Sequence, residues 1–254
     1  MILDDLSLLI DLHKDAQRQG PGGEAETGLA IELARLDRSR PLKIADIGCG
    51  TGASTIILAR ELDAQVTAVD LFPEFLEELQ SRARLRGVAD RIRTVASSMD
   101  SLPFPDEEFD AIWSEGAVYN MGFEKGISSW KRFLKPGGKL IVSEITWLTS
   151  SRPPEIQAHW DREYPEVDVA STKMGILERH GYSPEAYFVL PANCWLENYY
   201  RPMQGRFDAF LERHGASDQA KAIVEGDKHE IALYEKYSAY YSYGFYIAKN
   251  SGPG

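Results

Sequence analysis

The stretch "KIADIGCGTGAST", residues 43–55, joins an apolar run to an apolar helical pattern through three alternating glycines, Gly48, Gly50 and Gly52. Glycines in a strand-to-helix turn let the backbone come close to a ligand. A phosphate-cradling P-loop carries lysine after its last glycine. Here Ala53 follows Gly52, which excludes that chemistry. The dinucleotide fingerprint spaces its glycines as G-x-G-x-x-G, and this loop reads G-x-G-x-G. Asp46 stands just before the turn, where a carboxylate repels a pyrophosphate and attracts an ammonium or sulfonium group at short range. Asp70, eighteen residues beyond Gly52, ends the next apolar run. An acid at that place accepts hydrogen bonds from both hydroxyls of a ribose. Residue types and spacing together ask for a ligand with a ribose and a cation and without phosphate.

These residues need elements to hold them, and periodicity and punctuation give a coarse order. Residues 1–19 read as a helix, "RQGPGG" (18–23) as a break and 24–36 as a second helix. Then come strand 43–47, helix 54–62, strand 65–70, helix 73–86, strand 92–96 and strand 109–114. A helix ending at "LKPGG" (134–138) leads into strand 139–145. Such alternation implies an α/β fold, a parallel sheet covered by helices on both faces. Beyond Trp147 the pattern loosens. "SSRPPE" (150–155) reads as a loop, 169–180 as a helix, 187–190 as a strand, 199–236 as polar-helical with scattered aromatics, and 243–248 as a last strand. The tail from Asn250 is expected to be disordered.

The totals exclude several classes. The chain has 254 residues, 43 % hydrophobic and 26 % charged, an ordinary globular balance. No apolar run approaches the ~18 residues of a membrane span. The first ten residues mix apolar groups with Asp4 and Asp5, unlike a secretion signal. Two cysteines, Cys49 and Cys194, argue against a disulfide framework and for a reduced, cytoplasmic setting. The net charge of −11 lacks the positive footprint of nucleic-acid binders. Arg82, Arg84 and Arg86 read as the solvated face of a helix, so neither nucleic acid nor membrane is an expected partner. The histidines His13, His159, His180, His214 and His229 show no metal-ligand spacing, and no metal is expected.

S-adenosylmethionine carries a ribose and a cation and no phosphate. "ADIGCGTG" with Asp70, then "SLPFPDEEFDAIWS", then "FLKPGGKLIVSE" resembles the class I S-adenosylmethionine-dependent methyltransferase family over residues 42–145. Within it the chain is similar to small-molecule methyltransferases of the ubiquinone/menaquinone-biosynthesis type. The resemblance implies a doubly wound, seven-stranded, mostly parallel sheet of the Rossmann-like methyltransferase fold. Its last strand is antiparallel and inserted between the fifth and sixth, with helical additions at the N-terminus and before the last strand. It implies a single domain, 1–254, with a helical lid segment at 1–24, a cofactor-binding core at 25–147, substrate-side additions at 148–238 and the last strand at 239–249. It places Asp46, Gly48, Gly50 and Gly52, with Cys49 packed inside the loop, around the methionine part of the cofactor. Asp70 takes the ribose, and Leu71 and Phe72 flank the adenine. Where the family often has an acid for the adenine amino group, this chain has Ser98, beside the Met99 backbone N–H and with Asp100 one turn on. The family often lays a segment like "RQGPGG" over the methionine end, where Arg18 would pair with the carboxylate and Gln19 hydrogen-bond to it. A plain helix-breaking turn is the other reading.

On the acceptor side, "WSEGAVYNMGF" (113–123) follows the fourth strand. In open α/β sheets ligands sit outside the carboxyl ends of the strands, which makes Glu115, Tyr119 and Asn120 the catalytic candidates. Tyr119 and Asn120 would orient an acceptor and Glu115 would accept its proton. The structural reading is that Glu115 caps a helix and Tyr119 packs in the core. Methyl transfer is an in-line displacement from an activated sulfonium, leaving S-adenosylhomocysteine, and the protein mainly positions the acceptor and excludes water. Trp147, Trp160, Tyr164, Trp195, Tyr199, Tyr200, Phe207 and Phe210 lie outside the matched core. They suit the walls of a pocket for a small, partly apolar acceptor or a cation, or the packing of an added helical layer. The same insertion offers a homodimer surface. Two other functions compete: a noncatalytic S-adenosylmethionine-binding regulatory module, and an NAD-dependent oxidoreductase, which Asp46 and the glycine spacing oppose.

Overall fold

The computed structural model describes residues 3–252. Eight strands form one sheet: β1 (Leu42–Ile47), β2 (Ala64–Asp70), β3 (Ile92–Ala96), β4 (Phe109–Glu115), β5 (Leu134–Trp147), β6 (Asp168–Val169), β7 (Tyr182–Val189) and β8 (Tyr241–Asn250). Seven lie in the order β3-β2-β1-β4-β5-β8-β7, and the two-residue β6 pairs with the end of β5 off that path. The pairs among β1 to β5 are parallel, whereas β8 runs antiparallel to both β5 and β7. This is the doubly wound, mostly parallel sheet expected, with one short strand more than the seven.

Alternation along each strand sorts the core to two faces. Ile44, Val66, Trp113 and Ile141 pack on one side, and Ala45, Ile112, Leu140 and Val142 on the other. The first face is covered by α2 (Glu24–Ala34), α3 (Ala53–Glu61) and α4 (Pro73–Leu85), whose buried residues include Ile31, Leu58 and Leu79. The second is covered by α5 (Phe123–Trp130) and by α7 (Ala170–Arg179), the latter following α6 (Pro154–Glu163).

The first helix, α1, spans Leu3–His13 and stops short of the expected 19. The Gln19 side chain turns back and donates to the carbonyls of His13 at 3.1 Å and Ala16 at 3.2 Å, meeting carbonyls that the helix end leaves open. The part of that expectation on Met1 and Ile2 lies outside the described residues. The first two residues of α6 fall within the loop expected at 150–155, and the rest of the helix carries no expectation. Its Pro154 stands in the first turn, where proline suits a helix start, and only Ile156 is buried, so the sequence shows little apolar period. β7 starts five residues before the expected 187, because Pro184 disguises it. β7 is the last strand on its side of the sheet, the place where a strand tolerates proline. Asn250 ends β8 and donates to the carbonyls of Leu134 and Lys135. Ser251 N donates to the Gly181 carbonyl at 3.1 Å. The chain is therefore ordered past Asn250, against the disorder expected there, and Pro253 and Gly254 lie outside the described residues.

The stretch expected as polar-helical before the last strand is broken. After α8 (Ala192–Trp195) come a π-turn at Leu196–Tyr200, α9 (Arg201–Gln204), α10 (Phe207–Arg213) and α11 (Asp218–Tyr237), which divide the expected 199–236. Among the described residues no helix is long and apolar enough to cross a membrane, and no group of His, Cys, Asp and Glu is arranged to hold a metal.

Candidate active site

The sheet order reverses between β1 and β4, and in open α/β sheets that point opens a crevice at the carboxyl ends of the strands. A cleft of ≈ 540 Å³ lies there, within the range of small-ligand sites. A second cavity of ≈ 60 Å³ adjoins it and shares Gln19, Gly48, Gly50 and Gly116 with it.

The glycine loop forms the floor. Gly48, Gly50 and Gly52 have φ of +75°, +54° and +88°, which side chains with a Cβ rarely adopt. A Cβ on Gly50 would lie 2.2 Å from Gln19 Oε1, the movable end of that side chain, so it is the left-handed φ that calls for glycine there. Gly52 lines neither cavity, since a Cβ there would meet Leu79 Cδ1 at 2.0 Å and its role is helix packing. Asp70 binds the same loop. Its Oδ2 accepts from Gly50 N at 2.8 Å and its Oδ1 from Phe72 N at 3.1 Å. Burial pushes the Asp70 carboxyl above its ordinary value, with the backbone N–H groups opposing. Leu71, Phe72, Ser98 and Met99 line the cleft beside it, as do Tyr119 and Asn120 across from it. Tyr119 is 41 % exposed, not packed in the core. Asn120 donates Nδ2 to the Ala117 carbonyl at 3.0 Å.

Other sequence-predicted residues sit differently. Asp46 lies beneath the loop, fully buried, and reaches neither cavity. Its Oδ2 accepts from Ser54 Oγ at 2.8 Å and Thr55 Oγ1 at 2.6 Å, while Oδ1 has no partner. Desolvation pushes its carboxyl up to about 7, and the charges of Glu115 and Asp70 add to that. Glu115, read as a proton acceptor, has both oxygens engaged: Oε2 with Arg18, and Oε1 with Thr27 Oγ1 at 2.8 Å and Trp113 Nε1 at 2.9 Å. Arg18 is thereby drawn to Glu115 at the small cavity. Gln19 pairs with Thr51, whose N donates to its Oε1 at 2.9 Å. Cys49 lines the small cavity, and burial holds its thiol well above its ordinary value, so it is inert as a nucleophile.

The aromatic walls are a correction. Trp147, Trp195, Tyr200, Phe207 and Phe210 belong to the core, Trp160 and Tyr164 pack against it, and of the eight only Tyr199 lines the cleft. Trp195 stacks on Tyr234 at 4.5 Å and donates to Ser242 Oγ at 2.9 Å, so its replacement would strike packing before any acceptor. Sequence reasoning missed Leu6, Leu9, Ile10 and His13, through which α1 borders the cleft. The turn that Gln19 closes folds this helix over the strand ends. Burial pushes the His13 imidazole down to about 4, and its Nδ1 has no partner, so at neutral pH it presents an uncharged ring.

A glycine loop at the switch point of a mostly parallel sheet, with an acid ending the next strand, defines a nucleoside-binding α/β protein of the Rossmann-like methyltransferase class. Residues 45–142 match the family described as methyltransferase domain. The chain is 28 % identical over 219 residues to the 27-O-demethylrifamycin SV methyltransferase of Amycolatopsis mediterranei, covering 83 % of this chain and 76 % of that one. It is 37 % identical over 106 residues to the demethylmenaquinone methyltransferase of Tropheryma whipplei, covering 41 % and 42 %. Several curated relatives are matched over about half their own length. The S-adenosylmethionine-dependent methyltransferase of Geobacter sulfurreducens, solved with S-adenosylhomocysteine, superposes with a TM-score of 0.82 at 18 % identity, over 97 % of this chain and 98 % of that one. Residues 45–142 thus carry a methyltransferase domain, the fold is that of S-adenosylmethionine-dependent methyltransferases, and two of the structures it matches were solved with S-adenosylhomocysteine.

Proposed function

We propose that this protein transfers the methyl group of S-adenosylmethionine to a small-molecule acceptor. The observation that carries the reading is the juxtaposition in one cleft of Asp70 and the left-handed glycine loop with Tyr119 and Asn120. Asp70 would accept from the ribose hydroxyls. Leu71 and Phe72 would flank the adenine, with Ser98 and the Met99 N–H at its edge. The loop and Gln19 would surround the methionine end. When bound, the cofactor supplies an already activated methyl on a sulfonium, so positioning and exclusion of water carry the catalysis. Tyr119 and Asn120 orient the acceptor, and α1 with residues to 24 covers the cleft as a lid. Residues 25–147 hold the cofactor, 148–238 supply the acceptor side and 239–249 close the sheet. Glu115 is better assigned to holding Arg18 than to taking a proton, because both its oxygens are occupied. The two free, buried cysteines support a reducing, cytoplasmic setting, and the charge of −11 supports an acceptor other than nucleic acid.

Incubating the protein with labelled S-adenosylmethionine and a metabolite extract tests the reading. Label must move into a small-molecule fraction, and cofactor binding without any transfer would leave the regulatory module instead. Asp70→Ala is expected to weaken cofactor binding by roughly 1–3 kcal/mol, and unchanged affinity in calorimetry would remove the ribose assignment. Tyr119→Phe and Asn120→Ala are each expected to lower turnover about tenfold, one lost hydrogen bond in the transition state, with cofactor affinity nearly intact. Loss of cofactor binding in Asn120→Ala would put that residue on the cofactor side.

A further inference from the structure

Behind the tyrosines that border the cleft, two carboxylates of α11 have no ion-pair partner among the described residues. Asp227 and Glu230 stand three residues apart on α11, and residues so spaced share one helix face. Asp227 Oδ2 is buried without a hydrogen-bond partner. Glu230 Oε1 accepts from Tyr200 Oη at 2.8 Å. Burial first, and then the charge of a neighbouring acid, Glu230 for Asp227 and Glu163 for Glu230, pushes both carboxyls up. A third acid, Glu144, is fully buried, with Oε1 on Lys173 Nζ at 3.1 Å and Oε2 unpartnered.

Glu230 is joined to the cleft through its phenols, since the Tyr200 ring that it holds lies 5.2 Å from the ring of Tyr199, which lines the cleft. Glu230 and Glu144 both act on Tyr119 and Tyr243, and Glu230 and Asp227 both act on Tyr199. Tyr119 and Tyr199 line the cleft directly. Tyr243 meets it through Gly116, where a Cβ would lie 3.3 Å from the Tyr243 ring. Two cations come near. Lys173 is matched by Glu144. Arg206 acts on Tyr199, and its Nε donates to the Leu12 carbonyl at 3.2 Å. Desolvated carboxylates beside one another are unfavourable unless a positive group answers them.

We propose that the acceptor is held by an ammonium group lodged among Tyr119, Tyr199 and Tyr243, with Asp227 and Glu230 as its counter-charges. The proposal rests on the methyltransferase reading of the cleft and names the acceptor class, a small amine. Aromatic faces attract cations, and the carboxylates give the attraction its sign. An anionic acceptor would meet repulsion, and a neutral one would leave the acids unanswered. Burial and Glu230 push Asp227 up to about 7, and a bound cation draws such a group back toward its charged form. The ammonium group is the handle, and the methylated atom is the one that the handle brings to Tyr119 and Asn120.

The test uses the full chain saturated with S-adenosylhomocysteine. Calorimetry at constant ionic strength compares tetramethylammonium chloride with tert-butanol, an uncharged molecule of similar shape. The cation is expected to bind at least about tenfold more tightly than the alcohol. Asp227→Asn and Glu230→Gln are each expected to weaken the cation about tenfold and to leave S-adenosylhomocysteine affinity within about twofold. Equal affinity for the two probes, or cation binding unchanged in both variants, overturns the proposal. If S-adenosylhomocysteine binds and the cation does not, only the amine class falls. If S-adenosylhomocysteine itself does not bind, the methyltransferase reading falls and takes the proposal with it. Should a variant fail to fold, the comparison of the two probes on the unaltered protein decides.

Discussion

Lys173→Met is expected to lower the free energy of unfolding by about 3–5 kcal/mol, the cost of stripping one partner from a buried ion pair. Lys173 and Glu144 have side-chain exposures of 1 % and 0 %, with Nζ 3.1 Å from Oε1. The ammonium also stands over the Phe123 ring, 4.6 Å from its centroid, which adds a cation–π attraction. Taking the cation away leaves Glu144 with two unpaired oxygens, since Oε2 already has none. The carboxyl, which burial already pushes up, would then be driven to its neutral form. The double variant Glu144→Gln with Lys173→Met is expected to recover much of the loss, because it buries no lone charge. Urea unfolding of the three proteins checks this. A Lys173→Met protein within about 1 kcal/mol of the parent would mean that water or backbone relaxation reaches the pair.

That pair was invisible in the sequence, and the reason is general to this chain. Glu144 lies within "IVSEITW" and Lys173 within "ASTKMGILER", and a charged residue in a strand or helix does not by itself reveal burial or a partner. Only the insertion of β8 beside β5 and the packing of α7 beneath it bury them. The same holds for Glu115, whose partners Arg18 and Thr27 come from the N-terminal segment. His13 and Tyr199 enter the cleft from opposite ends of the chain, and no spacing rule joins them. By contrast, the glycine loop and Asp70 were legible because their chemistry is local. Three glycines in seven residues, 46–52, force a turn between a buried strand and a helix, and the strand-end position of Asp70 follows from one βαβ unit. The parallel strands β1 to β4 were legible as apolar runs. The aromatic segment was ambiguous by nature, since Trp195, Tyr200 and Phe210 have the composition of a pocket wall and of a packed layer alike. Their burial to 3 %, 1 % and 0 % decides for the layer.

Asp46→Asn is expected to remove a pH dependence from the stability of the fold. The Asp46 carboxyl is raised from 3.8 to about 7 by burial under the glycine loop, against the hydrogen bonds from Thr55 and Ser54. The folded chain therefore keeps a proton on Asp46 over a range in which the unfolded chain has lost it. This contribution is complete below the unfolded value and disappears as the pH rises through about 7. A shift of that size corresponds to roughly 4 kcal/mol across the window. Asparagine keeps an acceptor for Ser54 and Thr55 and has no charge to desolvate, so its stability should not follow this titration. The two proteins should be closest below the unfolded value of 3.8 and should diverge steadily up to about pH 7 in favour of the variant, the window set by the shifted carboxyl. Groups remote from the loop titrate equally in both, so the difference between their urea midpoints reports Asp46 and the small effect of its charge on Glu115 and Asp70. A difference that stays flat across that window would mean that Asp46 is already ionised in the folded protein, with water or a cation at Oδ1. Growth of the difference with falling pH would reverse the sign and refute the desolvation argument.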